Sequence, residues 1–78
     1  MGSISTLISR RKVLAGRLVA ARECAGYSQK AVAEAGIVSQ STLSKIENAD
    51  RNVTFLLLED LANLYKQPIS FFYTLYDE

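Results

Sequence analysis

The sequence predicts an all-α, compact five-helix domain, and three observations predict it. Apolar residues recur at helical spacing along nearly the whole chain, and no alternating strand pattern appears. One helix-start signal occurs three times, at Ser28, Ser39 and Thr54. The 78 residues hold room for a single domain, residues 1–78, with no linker, repeat or low-complexity tract to divide it.

The first helix is expected from about residue 6, on Leu7, Ile8, Leu14, Leu18, Ala21 and Ala25, and it stops at Gly26, a residue suited to a left-handed cap. Residues 1–9 form an N-terminal extension that either lengthens this helix or frays. Ser28 then offers a hydroxyl to an orphan N–H of the next turn, with Tyr27 and Val32 in staple positions, and predicts a short helix over 29–35 that Gly36 breaks. Ser39, flanked by Val38 and Leu43, opens a third helix from 40 to 47 or 48. Thr54, flanked by Val53 and Leu58, opens a fourth over 55–65. Pro68 suits a first helical turn and predicts a fifth helix over 68–76. The core faces of the last two helices are Phe55, Leu58, Leu61, Ala62 and Tyr65, and then Ile69, Phe72, Tyr73 and Tyr76.

Composition removes most chemistry. The chain has no histidine and one cysteine, Cys24, which excludes disulfide frameworks, zinc clusters, Cys–His nucleophile pairs and histidine acid/base catalysis. No enzyme, metal or cofactor is expected, and the adjacent Glu59 and Asp60 read as a solvated helix surface. Cys24 reads as a small buried hydrophobe. With one thiol, no secretory segment and no apolar run long enough to span a bilayer, the expected compartment is a reducing cytoplasm without membrane association.

The net charge of +1 conceals an asymmetry, because residues 1–30 carry +5 and the remainder −4. Such a split fits either a face built for a polyanion or an ordinary solvated charged helix.

The second and third helices are each about two turns long and are joined by residues 36–38, which is helix-turn-helix spacing. Val32, Ala33, Ile37, Val38, Leu43 and Ile46 make the apolar set, with Ala33 small where the helices cross. Outward, the third helix presents Gln40, Ser41, Ser44, Lys45 and Asn48, a face that hydrogen-bonds and carries no acid. Gln matches an adenine edge, Lys reaches guanine acceptors, and Ser serves bases or phosphates, so the set is usable in a major groove.

From Arg17 through Tyr73 the chain resembles the Xre/Cro-type helix-turn-helix family of phage repressors, restriction-modification controllers and many antitoxins. The likeness is carried by Arg17-Leu18, Arg22, Gly26-Tyr27-Ser28-Gln29, the run SQKAVAEAGIVSQSTLSKIEN from Ser28 to Asn48, and Leu58 with Leu61-Ala62. It implies a lambda-repressor-like fold and a set of roles. Gln29 would contact a phosphate and brace Gln40, and Gln40, Ser41 and Lys45 would read bases. Ser39, Thr42 and Asn48 would lie at the groove edge, Arg51 and Asn52 would hold the sugar-phosphate backbone, and the N-terminus of helix four at Thr54 could add N–H groups. Arg22 and Glu47 match an internal ion pair of the family. One place departs from its pattern: where the family has glycine after Gly36 this chain has Ile37, so either Gly36 takes the left-handed turn position or Ile37 adopts another turn.

Apolar residues outside the core faces, Leu56, Leu57, Leu64, Phe71 and Leu75, predict a homodimer interface on helices four and five. The expected function is then a transcriptional regulator, a repressor or controller, that binds double-stranded DNA at a palindromic operator. With no sensor domain or small-molecule ligand expected, its control would come from dimerisation or from competition at overlapping operators. The alternative is a protein-interaction module, such as an antitoxin or anti-regulator, that uses the same fold to hold a partner protein.

Overall fold

Five helices follow one another: α1 (Gly2–Cys24), α2 (Gln29–Glu34), α3 (Gln40–Glu47), α4 (Phe55–Tyr65) and α5 (Ser70–Tyr73). The computed structural model describes residues 2–73, with side chains described over 10–72, and no strand occurs among the described residues. Leu75 and Tyr76 therefore lie outside the described residues.

The three start signals act alike. The side-chain oxygen of Ser28 accepts from the Ala31 N–H at 3.0 Å, that of Ser39 from the Thr42 N–H at 3.2 Å, and that of Thr54 from the Leu57 N–H at 3.2 Å. Each cap satisfies one of the orphan donors of its helix, worth about 1 kcal/mol. The staple partners Tyr27, Val38 and Val53 are half-buried against the core that holds Val32, Leu43 and Leu58.

The helix ends are also alike, although their residues are not. Gly26, Ala49 and Lys66 all take left-handed backbone, with φ of 85°, 64° and 60°. Around each, two N–H groups reach back to close the helix. At Ala49 the bonds run from the Ala49 N–H to the Ile46 carbonyl at 3.1 Å and from the Asp50 N–H to the Lys45 carbonyl at 2.8 Å, which is a Schellman motif. Only the first of the three ends carries the glycine that would announce it.

α2 packs on α3, and α1 runs behind them to touch α3, α4 and α5. Leu18, Val32, Leu43, Leu61 and Phe72 are the large side chains wholly removed from solvent. Ala21, Ile46, Leu58, Ala62 and Tyr65 complete the cluster, so every helix contributes to one core.

Several expectations need correction. α1 begins at Gly2 rather than near residue 6, so residues of the N-terminal extension belong to the helix. It ends at Cys24, leaving Ala25 exposed in the turn. Cys24 is exposed, not buried. It stands six residues after Leu18, about 120° round the helix from that side chain at the middle of the buried stripe. Phe55 is 55% exposed, because the core around α4 begins one turn later at Leu58. α5 starts at Ser70: Pro68 and Ile69 precede it in a turn whose carbonyls accept from the Phe71 and Phe72 N–H groups at 2.9 and 3.0 Å. Phe72 within it is buried, Ile69 before it is half-buried, and the side chain of Tyr73 lies outside the described residues.

Candidate nucleic-acid interface

The turn between α2 and α3 sets the pose of α3. Gly36 takes φ of 84°, and Ile37 is not among the residues with positive φ. Glycine thus absorbs the left-handed step, and the β-branched Ile37 is spared it. Ile37 and Val38 are half-buried against the core, so the turn is pinned by apolar contacts on its inner side.

Three helices converge on one carboxylate. From α1, Arg22 donates through Nε to Glu47 Oε2 at 2.8 Å and through Nη2 to Oε1 at 3.0 Å, a bidentate pair. Its Nη1 donates to the Tyr27 carbonyl at 2.8 Å, bracing the turn before α2. From the first residue of α2, Gln29 donates through Nε2 to Glu47 Oε1 at 2.9 Å. The side chains of Arg22 and Glu47 are 12% and 4% exposed, so both charges are largely desolvated and each depends on the other. The hydrogen bonds to Glu47 raise the guanidinium pKa of Arg22 above its ordinary value, and burial opposes them. Tyr65 lies near this pair, with its ring tilted against that of Tyr27 at 6.2 Å between centroids. Burial first, and then the Glu47 charge, push its phenol up to about 12. Its hydroxyl is buried and has no hydrogen-bond partner among the described residues.

Gln29 therefore differs from what the family likeness implies. Its amide is directed to Glu47, and no hydrogen bond joins it to Gln40. A carboxylate is a stronger acceptor than an amide oxygen, so Glu47 wins the Gln29 donor.

The opposite face of α3 is bare. Gln40, Ser41 and Lys45 are exposed, as are Ser39 and Asn48 at its two ends. Ser39 also donates to the Thr42 hydroxyl at 2.9 Å, which leaves Thr42 half-buried and already engaged. Ser44 is half-buried. Arg51 and Asn52 are exposed in the loop between α3 and α4. Of the basic residues on α1, Arg17 lies over the ring of Phe71 at 5.0 Å, and Arg11 donates through Nη1 to the Ala49 carbonyl at 3.5 Å. The positive stripe is thus partly spent on holding α1 to α5 and to the end of α3. The sequence did carry a signal for Arg11: it shares a helical stripe with Leu18 and Arg22, seven and eleven residues on.

The apolar residues outside the core faces are unequally covered. Leu56 is 72% exposed, whereas Leu57, Leu64 and Phe71 are half-buried against the core. Phe71 also meets Phe72 edge to face, with ring centroids 5.1 Å apart.

Two short helices joined by a glycine turn, the second bare on one side and anchored on the other, define a helix-turn-helix protein. A helix-turn-helix family model matches residues 18–72, more than two thirds of the chain, and the chain belongs to this Xre/Cro-type family of DNA-binding regulators. Neither the curated proteins nor the solved structures hold a significant match to it. Among the described residues no helix is long and apolar enough to cross a membrane.

Proposed function

We propose that this protein is a sequence-specific transcriptional repressor or controller that acts in the cytoplasm as a homodimer on a palindromic operator. The observation that carries the reading is the division of α3. Gln40, Ser41 and Lys45 are exposed together, while Leu43 and Ile46 are buried and Glu47 is tied to Arg22. In this reading the three exposed residues contact base edges. Gln29, Ser39, Thr42, Asn48, Arg51 and Asn52 serve phosphates and the groove edge. Gln29 reaches a phosphate by leaving Glu47, which keeps both bonds from Arg22.

The dimer would form on α4 and α5 through Leu56, Leu57, Leu64 and Phe71, and through Leu75 outside the described residues. Phe55, exposed beside Leu56, joins that set and supports it. A two-fold axis there would place two copies of α3 about 34 Å apart, in successive major grooves.

Selection from a pool of random duplexes tests the whole reading. The expected result is an enriched inverted repeat whose half-sites lie about one helical turn apart. Sedimentation of the free protein should show a dimer. A pool that fails to enrich, together with a protein that stays in solution only with a partner protein bound, would overturn it.

A further inference from the structure

A cleft of about 470 Å³ lies beside the C-terminal end of α3. Arg10 and Arg11 of α1 form one wall, Arg51 and Asn52 of the next loop form the other, and Leu18 and Ile46 are among the apolar residues beneath. All its charged lining residues are cationic among the described residues. Arg10, Arg51 and Asn52 are exposed, and Arg11 is half-buried where it donates to the Ala49 carbonyl, tying α1 to the closing turn of α3. Arg10 and Arg11 precede the family match, which begins at residue 18.

Guanidinium groups present planar forks of donors that match phosphate oxygens, and an amide adds a neutral donor. The position of the cleft selects the anion. Eight residues make α3 about 12 Å long, close to the roughly 12 Å width of a major groove. A helix seated there by its first residues runs out at the sugar-phosphate ridge, and the cleft opens just past that end.

We propose that Arg10 and Arg11 form, with Arg51 and Asn52, a two-walled seat for backbone phosphates that extends the DNA footprint onto α1. The seat adds affinity without adding sequence preference. It rests on the reading of α3 as the groove-bound helix.

The test is the salt dependence of binding by the full chain, titrated by fluorescence anisotropy against a selected site and against a random duplex. The Arg10→Gln/Arg11→Gln double variant should lower the slope of log affinity against log salt by about 0.9 for each phosphate no longer neutralised, equally on both duplexes. Lys12→Gln, a neighbouring charge that does not line the cleft, should leave the slope unchanged. Circular dichroism melts check that the variants fold. Should the double variant melt, Arg10→Gln alone keeps the Arg11 bond to Ala49 and should still lower the slope by about 0.9. A folded variant with the parent slope overturns the seat and leaves the regulator reading intact, as does a Lys12→Gln loss equal to that of Arg10→Gln. A parent chain that binds neither duplex overturns the regulator reading itself.

Discussion

On its inner face α3 buries Leu43 and Ile46 and ends on a carboxylate that takes hydrogen bonds from two other helices. On its outer face Gln40, Ser41 and Lys45 are exposed, with the Ser41 hydroxyl 3.5 Å from that of the N-cap Ser39. Eight residues thus divide into a part held by the fold and a part left open to solvent, and in the proposed reading the second part serves the DNA. The inner side chains spend their interactions within the chain, whereas the outer ones face solvent.

The largest effect expected is on the inner side. Glu47→Ala strands the largely buried guanidinium of Arg22 and should cost about 3–5 kcal/mol, enough to unfold much of a marginal domain, read by thermal or urea denaturation. A loss under 1 kcal/mol would mean that the three-helix junction is not what fixes α3. Next, Gln40→Ala or Lys45→Ala should weaken operator binding by about 1–3 kcal/mol while leaving the melting curve in place. A variant that melts early would show that the two faces are not independent, and parent-like binding by both would remove the base-reading role of the outer face.

Tyr65 tests the edge of the anchored side. Its phenol should stay protonated up to about 12, whereas in the unfolded chain it titrates near its ordinary value of 10.0. Below pH 10 both states hold the proton and the contribution is constant. As pH rises from 10 towards 12 the unfolded chain releases it first, so stability should fall by up to about 1.4 kcal/mol per pH unit. Tyr65→Phe should abolish that component and, by removing an unpartnered hydroxyl, raise stability at neutral pH by about 1 kcal/mol. A destabilised phenylalanine variant would show that the hydroxyl has a partner after all. The smallest effect is at the end of α3, where Ala49→Gly should gain about 0.5–1 kcal/mol because glycine takes φ of 64° without a Cβ clash. Denaturant midpoints measure it, and an unchanged midpoint would mean the end of α3 carries no strain to relieve.

Legibility in the sequence followed how local each cause is. Ser28, Ser39 and Thr54 act on an N–H three residues away, so their spacing alone placed the starts of α2, α3 and α4. Gly26 announced the end of α1 for the same reason, since its left-handed backbone is a property of the residue itself. Ala49 and Lys66 adopt that conformation because the surrounding helices close there, and nothing in an alanine or a lysine declares it. Phe55 failed for a related cause: helical phase says which side faces inward, but not how far along the helix something lies over it. The polar face of α3 was legible from spacing. The partner of Gln29 was not, because its rivals Gln40 and Glu47 lie on a different helix and only the folded distances choose between them. Arg10 and Arg11 read as part of a charge run until the end of α3 appeared beside them.

The chain has one thiol, and the fold puts it outside. A maleimide dye or nitroxide would therefore attach at a single known position in each protomer, with no engineering. In a symmetric pair the two labels would report one separation, and following it on titration with duplex would show how far the protomers move as they grip the double helix.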